Sequence, residues 1–149
     1  MQLTQHTDYG LRLLIVLARS DGAPLSLVDF AREQGLSYNH IAKVARALGQ
    51  HGYIISHRGR NGGVSLALPA QEIRIGDVVR ALEFGMKLAD CGNCALQNNC
   101  ATSSLLAQAL AAFLAILDRA NLADMARDGP PAVRQWFPHL ASSAGTAMP

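Results

Sequence analysis

The feature that most constrains the fold is a hairpin signal in the middle of the chain. Two short runs rich in β-forming residues, 53–57 and 64–68, flank the stretch Arg58-Gly59-Arg60-Asn61-Gly62-Gly63. Glycine and asparagine tolerate the positive φ angles that a tight reversal requires. The sequence therefore predicts a two-stranded hairpin with two arginines at its tip.

Two helices joined by a short turn precede this hairpin. Ser26 is placed to cap a helix over 26–34, and Asp29 follows three residues later, as in a capping box. Gly35-Leu36 supplies the turn, and Ser37 is placed to cap a third helix that runs to about residue 50. The expected inner stripe of that helix is Ile41, Val44, Ala45 and Leu48. The residues left facing outward are Tyr38, Asn39, His40, Lys43, Ala47 and Gln50.

A helix-turn-helix followed by a basic hairpin is typical of a winged-helix DNA-binding domain. Its third helix enters the major groove, and the hairpin, or wing, reaches the DNA backbone or the minor groove. The helix residues expected to contact DNA are Ser37, Tyr38, Asn39, His40 and Lys43. The expected wing contacts are Arg58, Arg60 and Asn61. The alternative is a three-helix core with an ordinary surface hairpin, in which Tyr38 packs under the wing.

The helical pattern extends on both sides of this module. Apolar spacing predicts a first helix over 7–19, buried on several sides, and a short fourth helix marked by Ile75, Val78, Val79 and Leu82. A long helix over 103–125 has few charges and many alanines, so we expect it to pack against a second copy of itself. The expected fold is mainly α with a small β-hairpin wing: a winged helix-turn-helix domain plus a long dimerisation helix.

The three cysteines of the chain, Cys91, Cys94 and Cys100, lie within ten residues of one another. Glycine and asparagine between them predict a loop. Closely spaced thiols in a reduced compartment most often hold a metal or an iron–sulfur cluster. Thiolates suit iron–sulfur clusters and zinc alike, although zinc usually takes four ligands. A redox thiol pair or thiols without a function are the remaining alternatives.

These elements suggest four segments. They are a winged helix-turn-helix domain over 1–83, a cysteine-loop sensor over 84–102, a dimerisation helix over 103–126 and a partly disordered tail over 127–149. Asp8 falls in the first turn of the first helix, where the helix dipole favours an acid. On position alone this ordinary role outweighs the alternative, an oxygen ligand that completes a three-thiolate cluster.

Composition and motifs narrow the class of function. The net charge of +2 and the pI near 8.6 permit nucleic-acid binding without arguing for it. The first residues lack the pattern of a secretory signal, and the apolar run 13–18 is too short to span a bilayer. We therefore expect a cytoplasmic protein without a membrane partner. No nucleophile elbow or phosphate loop occurs, so we expect no enzyme.

Four stretches resemble the NsrR family of nitric-oxide-sensing bacterial repressors. They are the opening Met-Gln-Leu-Thr-x-x-Thr-Asp-Tyr-Gly-Leu-Arg, the wing 58–63, the stretch Ile-Arg-Ile-Gly-Asp-Val-Val-Arg at 73–80, and motifs between 113 and 124. NsrR belongs to a wider family of winged-helix iron–sulfur regulators that includes IscR and RirA. The resemblance covers about residues 1–126.

The resemblance implies a homodimer that binds a pseudo-palindromic, double-stranded DNA operator. It implies a 4Fe–4S cluster in each subunit, held by Cys91, Cys94 and Cys100 of one chain and by Asp8 of the other. Nitric oxide would be the effector, releasing the operator and derepressing detoxification genes. Only two residues separate Cys91 from Cys94, fewer than in many relatives, which leaves a 2Fe–2S form open.

Two rival functions remain on sequence grounds. The nearer rival is a regulator of iron or iron–sulfur cluster supply, as in IscR or RirA. The more distant rival is a zinc-binding or redox module without a DNA role.

Overall fold

The computed structural model describes residues 2–59, 62–92, 94–96 and 100–127. In chain order its elements are α1 (Gln5–Ala18), α2 (Leu27–Glu33), α3 (Tyr38–Gln50), β1 (Ile54–His57), β2 (Gly63–Leu66), a 3₁₀ turn (Ala70–Glu72), α4 (Ile75–Leu82), α5 (Ala101–Asp118) and α6 (Leu122–Arg127). The two strands are antiparallel and form a two-stranded sheet. The expected fold, mainly α with one β-hairpin, is confirmed. The tail from residue 128 on lies outside the described residues.

Helix α1 is the centre of the core. It contacts α3, α4, α6 and β2, and Leu13 and Leu14 are fully buried. Apolar residues on several faces of α1 explain this position, because a helix with a single apolar stripe can bury only one side. The sequence prediction of a helix buried on several sides is therefore confirmed.

The helix-turn-helix forms as predicted, with differences at its caps. The Ser26 hydroxyl accepts a hydrogen bond from the Asp29 N–H at 3.3 Å, but the Asp29 carboxylate pairs with Arg32, so the expected capping box forms only in part. Gly35 has a φ of 65°, which suits the turn. Ser37 occupies the N-cap position of α3, but its side chain makes no capping hydrogen bond. The predicted capping role of Ser37 is wrong in that respect.

The inner stripe of α3 is confirmed. Ile41, Val44 and Leu48 are fully buried, and Ala45 is nearly so. Ala47, expected to face outward, is half-buried and packs against the core. The apolar face of α3 is thus wider than its sequence stripe indicated, while its N-terminal end stays open to solvent.

Strand β2 is held between β1 and the segment that leads into α2. Leu25 and Val64 exchange backbone hydrogen bonds of 2.8 and 2.9 Å. At Gly63 an added Cβ would lie 2.4 Å from the Leu25 carbonyl oxygen, too close for any side chain. Glycine at this position is what allows the wing to dock against the helical core.

The predicted single helix over 103–125 is wrong, because two helices occupy this stretch. α5 ends at Asp118 and α6 begins at Leu122. Between them, the Ala120 carbonyl accepts from the Ile75 N–H at 3.1 Å, and the Leu122 N–H donates to the Ile73 carbonyl at 2.9 Å. These contacts with the entry to α4 replace helical hydrogen bonds, so the helix stops where the chain meets the core.

Among the α-helices of the described chain, α5 alone has no buried residue. None of its 18 residues is buried, and Leu105 and Ile116 remain 64% and 65% exposed. By length and composition alone it could cross a membrane, which the short apolar runs of the sequence did not reveal. A single such helix is weak evidence for a membrane span, since helices that pack on other protein surfaces share this composition.

Replacing Gly63 with alanine should destabilise the fold by about 1–3 kcal/mol, because the new Cβ would collide with backbone atoms of Leu25. Chemical denaturation measures the change. Gly49→Ala is the matched control. It lies in α3, and an added Cβ would have its nearest neighbour, the Ile54 carbonyl oxygen, 3.8 Å away. The higher helix propensity of alanine should therefore leave stability equal or higher. Equal stability of the two variants would contradict the docking of the wing.

Candidate functional site

The N-terminal end of α3 forms an exposed polar surface. Ser37, Tyr38, Asn39, His40 and Lys43 are all exposed, and Tyr38 retains 49% of its surface. Because Ile41 and Val44 on the opposite side are fully buried, the helix is fixed to the core with this face outward. The structure thus brings together the five α3 residues that the sequence predicted as DNA contacts, and Tyr38 does not pack away from solvent.

A side-chain hydrogen bond joins the two strands of the wing. The His57 Nε2 atom and the Ser65 hydroxyl lie 2.7 Å apart. Arg58 follows directly and is exposed, and Gly59 takes a φ of 109°, as the sequence indicated for this turn. Arg60 and Asn61, the other predicted wing contacts, lie outside the described residues.

This surface belongs to an uninterrupted stretch of the chain without acidic residues, a feature that the sequence predictions did not use. Residues 34–71 contain no aspartate or glutamate, but they contain Lys43, Arg46, Arg58 and Arg60. Arg46 is exposed on α3 and was not among the predicted contacts. The small net charge of the whole chain therefore hides a locally basic module, which suits a polyanionic partner.

The cysteine loop presents three free thiols. Cys94 is exposed, while Cys91 and Cys100 are half-buried. Cys100 is the N-cap residue of α5, and its pKa is lowered, first by a hydrogen bond from the Ser103 backbone. Partial desolvation opposes this shift, and hydrogen bonds from Thr102 add to it. The thiolate, which is the form that binds metals, is therefore favoured at Cys100.

The candidate oxygen ligand, Asp8, is held elsewhere in the single chain. Its carboxylate accepts a hydrogen bond from Arg12 Nε at 3.1 Å. Its other oxygen forms an ion pair with Arg12 Nη2 at 2.7 Å. Among the described residues, no three histidine, cysteine, aspartate or glutamate side chains come together as a metal-binding group. The donor types fit an iron–sulfur cluster, because thiolates are its usual ligands. Within the described part of one chain, Asp8 and the cysteines are not brought together.

Glu83, the residue directly before the cysteine loop, is hydrogen-bonded to the start of α1. Its carboxylate accepts from the Thr4 hydroxyl at 2.9 Å and from the Thr4 N–H. Burial raises the pKa of Glu83, but hydrogen bonds from Thr4 and Thr7, with the charge of His6, lower it more. This contact spans 79 positions, and no local sequence signal marks it.

Comparison with known proteins identifies relatives over nearly the whole chain. A family model, Rrf2, described as an iron-dependent transcriptional regulator, matches residues 3–128. Staphylococcus aureus CymR in its oxidized form has 31% identity and a TM-score of 0.73, with 87% of this chain and 99% of that chain covered. T. potens IscR has 27% identity and a TM-score of 0.70, with coverage of 100% and 94%.

A third structure, CymR of B. subtilis, is described as the global cysteine regulator. It has 26% identity and a TM-score of 0.75, with 87% of this chain and 99% of that chain covered. The hairpin and the helix-turn-helix described above are therefore parts of the winged-helix fold of these regulators.

Replacing Glu83 with glutamine should lower stability at neutral pH and have less effect in acid. The folded-state pKa of Glu83 is depressed, so its carboxylate stabilises the fold above its unfolded-state pKa. That contribution is lost as the pH falls through the folded-state pKa. The difference in melting temperature between wild type and Glu83→Gln should therefore shrink below about pH 4.3. The exposed Glu72→Gln is the control, and a pH-independent difference for Glu83→Gln would contradict the account.

Proposed function

The chain belongs to the Rrf2 family of transcriptional regulators, and we propose that it is a nitric-oxide-responsive repressor that acts as a cytoplasmic homodimer. The observation that carries the proposal is the position of three free thiols in one loop, between a winged helix and an exposed apolar helix. Nitric oxide as the effector is supported by the resemblance of residues 1–12, 58–63, 73–80 and 113–124 to the NsrR family.

In this proposal α3 is the recognition helix. Asn39 and Lys43 lie four residues apart on its exposed face, so both can reach base edges in one major groove. An asparagine amide suits adenine and a lysine ammonium suits guanine. Ser37, Tyr38 and His40 flank them, while Arg58, with Arg60 and Asn61, contacts the DNA backbone or the minor groove.

The second copy is proposed to pack on the outward stripe of α5. This stripe consists of Leu105, Ala109, Ala112 and Ile116, all exposed, at the four-three-four spacing of a coiled-coil seam. Leu114 and Leu117, on a different face of the helix, pack against the core instead. Alanines in the stripe let two helix backbones approach closely. Two copies related by a twofold axis would present two recognition helices to one operator.

Cys91, Cys94 and Cys100 would hold a 4Fe–4S cluster, or a 2Fe–2S cluster, with Asp8 of the second copy as the remaining ligand. The bound cluster would supply iron that reacts with nitric oxide. Asp8 must leave Arg12 to serve as a ligand, since a hydrogen bond and an ion-pair contact join them in the single chain. A carboxylate is a harder ligand than a thiolate and exchanges more readily, so the Asp8 bond is the easiest to lose.

A second candidate function is the regulation of iron or iron–sulfur cluster supply. It is favoured by the family description, iron-dependent transcriptional regulator, and by the likeness to T. potens IscR. The two functions differ in the signal that releases DNA. Nitric oxide under iron-replete conditions should release a nitric oxide sensor from its operator, whereas iron starvation without nitric oxide should change the DNA binding of a supply regulator.

Arg58→Ala should weaken DNA binding and reduce the slope of log affinity against log salt by about one unit, because one phosphate contact is lost. Fluorescence anisotropy with a duplex selected from a random library by the cluster-loaded protein measures both quantities. Arg119→Ala, an equal loss of charge at the end of α5, should leave the slope unchanged. Identical slopes for wild type and Arg58→Ala would remove the wing from the interface.

Ala109→Glu should convert dimers to monomers, because it places a charge in the proposed seam. Sedimentation velocity measures the association state. Ala111→Glu makes the same substitution two residues further along α5, on nearly the opposite face. It should leave the dimer intact, and dissociation by both variants, or by neither, would contradict the proposed seam.

Asp8→Ala should leave the fold and the dimer intact but shorten the lifetime of the cluster, since the thiolates alone would hold it. The decay of cluster absorbance under an iron chelator, with an iron count at the start, measures this. Asp77→Ala removes an exposed acid from α4, where it pairs with Arg80, and serves as the control. An unchanged lifetime in Asp8→Ala would exclude Asp8 as a ligand.

A further inference from the structure

Tyr9 lies where α1 meets the recognition helix. Its ring is 5.8 Å from the ring of His40 between centroids, and the two planes meet at 80°, an edge-on arrangement. Such pairs are attractive because the positive edge of one ring faces the negative face of the other, so the attraction depends on orientation. His40 belongs to the exposed N-terminal end of α3, which is proposed to enter the DNA groove.

Arg12 contacts the same tyrosine ring. Its guanidinium carbon lies 5.9 Å from the Tyr9 ring centroid, within the range of a cation–π contact. The same guanidinium donates to the Asp8 carboxylate. A continuous set of contacts, Asp8 to Arg12 to Tyr9 to His40, therefore joins the candidate iron ligand to the recognition helix. We call this set the Asp8–His40 contact path.

The backbone beside Tyr9 leaves little room for independent movement of the helices. A Cβ added at Gly10 would lie 2.5 Å from Leu82 Cδ1 of α4 and 3.6 Å from Val44 Cγ1 of α3. Val44 is fully buried, and it lies one turn beyond His40 on α3. A displacement of the first turns of α1 must therefore be met by α3, since close-packed interiors do not absorb such shifts.

We propose that Tyr9 is a positioning residue that transmits a change at Asp8 to the DNA-facing end of α3 through His40. The inference rests on the proposed function, because the input is the exchange of Arg12 for iron as the partner of Asp8. When Asp8 leaves Arg12, the guanidinium keeps Tyr9 as its neighbour but loses its anion. The tyrosine ring is then held differently, and the orientation of His40 changes with it.

The first test uses cluster-free protein, so it does not depend on iron. The ring-proton NMR signals of His40, assigned with His40→Gln, are recorded at one fixed pH with and without Asp8→Asn. Asp8→Asn should shift the His40 signals in the wild-type and Tyr9→Phe backgrounds, since both keep the ring. It should leave them unmoved in Tyr9→Leu. An equal shift in all three backgrounds would overturn the proposal.

A second ring-free variant, Tyr9→Met, has a more flexible side chain that adapts to the space left by the ring. It keeps the test decisive if Tyr9→Leu does not fold, which circular dichroism reveals. Tyr9→Met should also uncouple His40 from Asp8. A His40 shift of wild-type size in this background would overturn the proposal as firmly as the same result in Tyr9→Leu.

The second test measures the ratio of affinities of cluster-loaded and cluster-free protein for the selected duplex. Tyr9→Leu should reduce this ratio by about fivefold, the lower end of typical allosteric coupling, with iron content unchanged. Tyr9→Phe should preserve it, and an unchanged ratio in Tyr9→Leu would overturn the role of Tyr9. A wild-type ratio of one would instead overturn the proposed function, while the NMR comparison would still decide whether the contact path couples Asp8 to His40.

Discussion

The close approach of α1 to its neighbours at Gly10 is the contact on which the rest of the arrangement depends. With no side chain there, α1 packs directly against Leu82 of α4 and Val44 of α3. The proposed recognition helix, α3, and the helix before the cysteine loop, α4, thus pack against α1 at the same point. The Thr4–Glu83 hydrogen bonds fix the start of α1 to the end of α4 close by. A displacement of the first turns of α1 should therefore affect the packing of α3 and of the end of α4 together.

Helix α5 connects the cysteine loop to the proposed dimer seam. Its first turn begins directly after Cys100, whose thiol receives hydrogen bonds from that turn. Its last turn is tied to α4 by a bidentate ion pair between Arg80 and Asp118, at 2.6 and 2.7 Å. The segment after α5 is then held by two backbone hydrogen bonds, from the Ile75 N–H to the Ala120 carbonyl and from the Leu122 N–H to the Ile73 carbonyl. One end of α5 is thereby anchored, and the other carries a ligand candidate.

Apolar spacing predicted α1, α3 and α4, while cap and turn residues predicted the helix-turn-helix and the wing, because all of these signals are local in the sequence. The break after Asp118 has a weaker local signal, since Arg119-Ala120-Asn121 contains no glycine or proline. Its one local mark is Asn121, whose Oδ1 accepts from the Asp124 N–H at 2.9 Å, as an N-cap does. Tertiary backbone bonds decide it. The Thr4–Glu83 contact and the edge-on approach of Tyr9 to His40 are also long-range and leave no local pattern. The acid-free stretch 34–71, in contrast, is visible in the sequence.

For the candidate site, the sequence indicated which side chains are exposed, but it did not indicate which side chains they contact. Five predicted α3 contacts share one exposed surface, but the roles of all predicted DNA and cluster residues remain predictions. Arg12 was not singled out, although its spacing of four from Asp8 on a helix is a recognisable ion-pair pattern. The pairing matters because Asp8 must give it up in order to bind iron as proposed.

The most direct test of the central claim is a nitric oxide titration of anaerobically purified protein. Absorbance near about 400 nm, where iron–sulfur proteins absorb, is recorded with iron content and affinity for the selected duplex in the same samples. The account predicts that the absorbance and the DNA affinity fall together, with affinity lost by about tenfold or more. A protein that reacts with nitric oxide but keeps its affinity, or a colourless zinc protein that binds DNA equally well, would contradict it.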